Sequence, residues 1–286
     1  MPPCGRMENS MKLPVALQLY TVRNELNTDF EGTLRRVKEL GYDGVEFAGG
    51  LRDNDPVWVR DLLAELDLVP IAAHVPFKDL LENPTETLAP YKVLGCRYIV
   101  VPNVPDSWRI PANPAKDTID ALLQIAKDIT AAGFIALYHN HDFEFARVPE
   151  TGKYFLDQLF ETISADLLQT ELDTCWVGVA GENPAAYIKK YSGRAPIVHL
   201  KDYKKEGEGT DGMYELIGVE TAKVAKKSPV ELRPVGYGVQ DFPAILAAAE
   251  AAGTTWVVVE QDRPREGCLP LDESKLSRAY LKTIGY

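Results

Sequence analysis

Short apolar, β-branched runs alternate with longer amphipathic runs along almost the whole chain, and this alternation sets the tightest limit on its fold. The strand-like runs are VALQLYT (15–21), GVEFAG (44–49), PIAAHVP (70–76), YIVVPN (98–103), FIALYHN (134–140), LLQTELDT (167–174), PIVHLKD (196–202) and WVVVEQD (256–262). Between them lie stretches of helical period such as DFEGTLRRVKELG, NDPVWVRDLLAELD and DFPAILAAAEAAG. Asp55-Pro56 opens one helix, and Gly41, Gly95, Gly133 and Gly253 each close one. Eight strand–helix units in 286 residues, with no charge-rich linker, predict a single (β/α)₈ barrel over residues 13–286 behind a flexible tail at 1–12. The alternative, an open doubly wound sheet, lacks its Gly-rich phosphate turn after the first strand. Between the seventh strand and its helix, Tyr203 to Tyr237 exceeds the minimal unit. It reads as a functional or mobile loop leaving the strand end where barrel enzymes place their chemistry.

Composition removes several function classes. Lys+Arg 31 against Asp+Glu 42 gives a net charge of −11, a field that repels a phosphate backbone, so nucleic acid is not the expected partner. Cys4, Cys96, Cys175 and Cys268 stand far apart with no CxxC pair, which suits a reduced, cytoplasmic setting. No apolar run approaches the ~20 residues of a membrane span, and the start, MPPCGRMENS, lacks an apolar signal core. The expected partner is a small-molecule substrate; self-association into a homo-oligomer stays open.

In a barrel, side chains alternate between the interior and the helix layer, so a polar residue at the last inward position of a strand looks into the barrel mouth. Gln18, Glu46, His74, Asn103, Asp173, His199 and Glu260 occupy such positions, and Lys201 follows His199 on the same side. Any one of them can be a satisfied core polar group, but unpaired burial costs several kcal/mol each, and the pattern repeats on nearly every strand. A polar, carboxylate-rich pocket accounts for it better. Asp173, His199 and Glu260 end consecutive strands, and carboxylate with imidazole suits a divalent ion: Mn²⁺ first, with Mg²⁺, Co²⁺ or Zn²⁺ also suited. The fourth ligand falls to strand five, which ends in LYHNHDFEF (Leu137 to Phe145) and holds two of the four histidines.

The motifs LQLYTVR, GYDGVEFAG, YHNHDFEF, LDTCW, HLKD, GYGVQDF and VVVEQD follow in order from Val15 to Asp262. Together they resemble the divalent-metal sugar (phosphate) isomerases and epimerases of the xylose-isomerase-like TIM-barrel superfamily. The resemblance implies a metal held by Glu, Asp, His and Glu from strands five to eight, which maps to Asp173, His199 and Glu260. For the first ligand, simpler members carry a glutamate at the strand end, where this chain has Tyr138. Members with the longer stretch suggest Glu144, with His139 and His141 as supporting or substrate contacts and ligation by one of these histidines as the alternative. The implied reaction removes a proton beside a keto-sugar carbonyl through a metal-stabilised enediolate, with Glu144 and Glu260 as the acid–base pair. Glu46, His74, Asn103, His141 and Lys201 would contact the sugar, and Trp176 would serve as its platform. The same chemistry also serves a lyase or dehydratase acting on a keto-inositol or 3-keto-glycoside. An apurinic endonuclease shares the barrel but needs more histidines than His74, His139, His141 and His199, including one where Trp176 stands.

Lesser signals have plain readings. GYGVQDF is not a dinucleotide fingerprint, and Asp241 within it suits a helix N-cap. Lys204-Lys205 and Lys226-Lys227 read as solvated charge; Trp58, Trp108 and Trp256 read as packing. With no convincing Arg or Lys cluster for a phosphate, an unphosphorylated sugar is favoured.

Overall fold

The computed structural model describes residues 12–205 and 230–286. The tail at 1–11, the Lys226-Lys227 pair and the middle of the long segment lie outside the described residues. Strands β1 (Val15–Gln18), β2 (Gly44–Ala48), β3 (Val69–His74), β4 (Tyr98–Val101), β5 (Ile135–His139), β6 (Gln169–Asp173) and β7 (Ile197–Leu200) run parallel around a closed barrel. Within the long segment, β8 (Asp202–Lys205) and β9 (Val230–Arg233) pair antiparallel as a hairpin beside the barrel. The last barrel strand, β10 (Trp256–Val259), pairs with both β7 and β1. Because β1 bonds to β2 on one side and β10 on the other, the sheet has no free edge, which excludes the open alternative.

Strands buried on both faces explain the near-continuous apolar runs. Outward residues such as Leu17, Val45, Phe47, Ile99, Tyr138, Leu172 and Val257 join the helix-layer core. Inward residues Ala16, Ile71, Tyr98, Val100, Leu137, Ile197 and Val258 fill the lower barrel interior. Asp55 caps the helix Pro56–Glu65 through Trp58 N at 3.0 Å, and Gly41 (φ 90°) and Gly253 (φ 82°) close theirs in the left-handed region, as the punctuation predicts. Trp58 packs on Phe30 but keeps 41% of its surface exposed, whereas Trp108 is tucked against Phe77. Lys204 and Lys205 are exposed.

GYGVQDF closes over the end of β7. The buried Asp202 carboxylate accepts backbone N–H bonds from Gly236, Gly238, Val239 and Gln240 at 2.7–3.2 Å. Gly238 approaches so closely that a Cβ there would stand 2.2 Å from Asp202 Oδ1. Asp241 then caps the helix Phe242–Ala252 through Ala244 N. Among the described residues, no helix is long and apolar enough to cross a membrane.

Candidate metal centre

Parallel register raises the polar strand ends to one end of the barrel. His139 stands opposite Glu171, Asp173 opposite His199, and His199 opposite Val258, two residues below Glu260. Going round the wall, the inward positions therefore climb, and His139, Asp173, His199 and Glu260 bring ligand atoms within 4.8 Å of one another. His139 Nε2 lies 3.4 Å from Asp173 Oδ2 and 3.9 Å from Glu260 Oε2; His199 Nδ1 lies 2.9 Å from Glu260 Oε2.

Strand five thus contributes His139 to the group, and Glu144 is not brought to it. Tyr138 points outward into the helix layer, and its hydroxyl donates to Glu144 Oε1 at 2.5 Å; the His141 amide donates to Oε2 at 2.8 Å. Both Glu144 oxygens are engaged on the far side of β5, against Val104, Trp108, Arg109 and Phe155. The residue type misleads here because alternation, not chemistry, decides which neighbour faces the pocket: Leu137 and His139 point in, Tyr138 out. Burial lifts the Glu144 carboxyl to about 7, although Tyr138 and the His141 amide favour its charge. A pKa above the ordinary 4.5 means the folded state holds this proton more tightly, so the stability it adds is present below 4.5 and lost as pH rises through about 7. Glu144→Gln should flatten the fall in stability between those pH values by up to about 3 kcal/mol. Urea unfolding at both ends of the window checks this; parallel wild-type and variant profiles would refute it.

The charges at the site are coupled. Glu46, Glu171, Asp173, Glu260 and Asp262 are all buried, with Lys201 1% exposed among them. Lys201 Nζ lies 3.2 Å from Asp173 Oδ2, 2.9 Å from Glu260 Oε2 and 3.1 Å from Asp262 Oδ2. Burial alone would lower Lys201, but these three carboxylates outweigh it and hold the ammonium well above its ordinary value. Burial would likewise raise Glu260, yet Lys201 and His199 keep it well below the usual carboxylate range. Asp262, with less compensation, is raised by burial to about 7.

The donor set fits a divalent ion. His139 Nδ1 lies 3.2 Å from the Pro102 carbonyl, an arrangement in which it donates its proton there and leaves the Nε2 lone pair free. That Nε2 and Asp173 Oδ2 are buried without a hydrogen-bond partner, although Lys201 Nζ stands near the latter. Asp173 Oδ1 is already fixed by the amides of Cys175 and Trp176. The carboxylate excess and these two facing orphan atoms are what a cation would satisfy.

A pocket of about 170 Å³ opens above the group, below the ~300 Å³ of typical drug-sized sites and suited to a smaller ligand. His74, Asn103, His141, Lys201 and Glu260 line it, joined by His139 and by Tyr20 and Asp262, which the strand-end pattern does not single out. Two expected sugar contacts do not reach it. Glu46 is fully buried beneath the floor, bonded to Gln18 and close to His199, and Trp176 is fully buried against His141. Trp176 belongs to a short helix capped by Asp173, which turns the indole into the protein instead of over the pocket. Glu171 and Asp262 were legible by a simple extension: each lies two residues from a strand-end carboxylate, hence on the same face.

Residues 34–284 match the family described as xylose isomerase-like TIM barrel. An inosose dehydratase of Clostridium beijerinckii is 25% identical over 181 residues, 62% of this chain and 54% of its own, so the chain spans about half the length of the curated relatives it matches. A sugar phosphate isomerase/epimerase from Parabacteroides distasonis superposes with a TM-score of 0.75 at 20% identity, covering 98% of this chain and 97% of its own. An L-ribulose 3-epimerase superposes with a TM-score of 0.64 at 17% identity, covering 96% of this chain and 94% of its own. These two likenesses are of fold; the family match extends over most of the sequence. The chain belongs to the xylose isomerase-like TIM barrel family.

Proposed function

We propose that the protein is a divalent-metal-dependent isomerase or epimerase of an unphosphorylated keto sugar, moving a proton on the carbon beside its carbonyl. The observation that carries this reading is the convergence of His139, Asp173, His199 and Glu260 beside a pocket that Lys201 also lines. These four residues would hold the ion. When bound, it supplies Lewis-acid polarisation of the substrate carbonyl.

The chain's own groups do the rest. Glu260, ionised and at the pocket wall, is the group to take the carbon-bound proton. Lys201 Nζ, kept charged by Asp173 and Glu260, donates to the oxygen on which negative charge develops. Asn103 offers amide hydrogen bonds to sugar hydroxyls. His141, which burial keeps well below its ordinary value and hence neutral, provides a ring nitrogen to accept one. Asp262, holding a proton near neutrality, is placed to return it.

A dehydratase is the second reading. The curated relatives are named inosose dehydratases, and an acid such as Asp262 can equally protonate a departing hydroxyl. Both readings are tested by incubating the Mn²⁺-loaded protein with a panel of keto sugars and keto-inositols in D₂O. Solvent deuterium in a product of unchanged composition supports the epimerase or isomerase; loss of one water supports the dehydratase. Neither exchange nor water loss across the panel would overturn both. Abasic-site DNA, included as a control, should stay intact.

A further inference from the structure

Beneath the pocket floor converges a second set of ligand-type atoms, and of its residues the proposed reaction uses His199 alone. Glu46 and Glu171 have no exposed surface, and they share the set with His199 and with His74, whose ring also reaches the pocket wall. His74 Nε2 lies 2.5 Å from Glu171 Oε2 and 3.7 Å from Glu46 Oε1. His199 Nε2 lies 2.7 Å from Glu46 Oε2 and 3.1 Å from Glu171 Oε2. A tetrahedral ion with bonds of about 2.0–2.1 Å spaces its ligand atoms roughly 3.3–3.4 Å apart, and these separations bracket that spacing. Two imidazoles and two carboxylates are a donor set for Zn²⁺ or a similar first-row ion. Hydrogen bonding alone leaves the set incomplete. Glu46 Oε1 and Glu171 Oε1 are buried without a hydrogen-bond partner, a cost that a shared cation removes. Gln18 Nε2 donates to Glu46 Oε2 at 3.0 Å, while Gln18 Oε1 accepts from Tyr20 N, so the carboxylate is held in place from outside the set.

We infer that Glu46, His74, Glu171 and His199 form a second divalent-cation site, below the first and joined to it through the His199 ring. The ring's Nδ1 belongs to the upper group, 2.9 Å from Glu260 Oε2, and its Nε2 to the lower. Two cations held on opposite nitrogens of one ring repel each other, so the two sites fill with negative coupling, the later ion binding more weakly than the first.

Metal stoichiometry tests this without any substrate, so the outcome is independent of whether the isomerase reading holds. The EDTA-treated 286-residue chain is titrated with Zn²⁺, and bound metal is counted by calorimetry and elemental analysis. Wild type should take up a second equivalent at higher Zn²⁺. Glu171→Gln should lose that equivalent and keep the upper one, and Asp173→Asn should lose the upper one and keep the lower. Wild type taking up no metal, or saturating at a single equivalent that Glu171→Gln leaves intact, would overturn the site. Should Glu171→Gln fail to fold, anomalous diffraction from Zn²⁺-soaked wild-type crystals decides the same point. A peak between His74 Nε2 and His199 Nε2 supports the lower site, and density confined to His139, Asp173 and Glu260 overturns it.

Discussion

Glu260→Gln is expected to lower kcat by a factor of about 10²–10⁴, the range for removing a positioned general base, with metal content falling by much less. The side chain is 5% exposed at the pocket wall, and its carboxylate is kept ionised by Lys201 and His199 against the cost of burial. Glutamine preserves the shape and a carbonyl oxygen that can still face the ion, but it cannot accept a proton from carbon. The comparison is made with both proteins at saturating Mn²⁺, so that weaker binding is separated from lost chemistry. The exchange of substrate hydrogen with D₂O should fall in parallel with turnover. A metal-replete Glu260→Gln protein within tenfold of wild type would remove Glu260 as the base. Glu144→Gln serves as the contrast: its carboxylate faces Tyr138 on the far side of β5, so turnover at neutral pH should change little.

The second large effect concerns stability. Lys201→Met removes the ammonium that Asp173, Glu260 and Asp262 share within 3.2 Å. Breaking a buried charge pair from one side costs about 3–5 kcal/mol, which for a chain of this size lowers Tm by roughly 5–15 °C. In the metal-free protein Asp173 and Glu260 then face each other beside Asp262, with His199 as their nearest compensation. A divalent ion restores positive charge at that place, so added Mn²⁺ should raise the Tm of Lys201→Met by more than that of wild type. Thermal unfolding with EDTA and with Mn²⁺ reads both quantities. Equal metal-induced shifts in the two proteins would show that Lys201 and the ion do not neutralise the same carboxylates. Activity should be lost as well, because no other ammonium lines the pocket among the described residues.

Much of this was legible in the chain itself. Eight apolar runs separated by helical period and glycine stops dictated the barrel, because parallel strands covered on both faces leave few polar positions except at their ends. Where the polar positions fall then pointed to Asp173, His199, Glu260, Asn103 and Lys201, all of which the structure gathers at or beside one pocket. The hairpin of β8 and β9 was not legible: its strands are four residues each, and Asp202-Tyr203-Lys204-Lys205 carries little apolar signal.

Side-chain direction and depth were settled only by tertiary structure. HNHDFEF offers two histidines, an aspartate and a glutamate within a few residues, and the family resemblance favours the glutamate as ligand over a histidine; the pleat instead turns His139 inward and lets Tyr138 hold Glu144 outside the wall. Trp176 looks like a sugar platform beside Asp173, but the helix that Asp173 caps carries the indole into the interior. Glu46 and Glu171 end up beneath the pocket, with His74 at its wall, because the stagger between neighbouring parallel strands sets their height. The sequence determined which residues are polar and on which strand they lie. Register around a closed barrel is a property of all the strands at once, and it decided which of those residues meet.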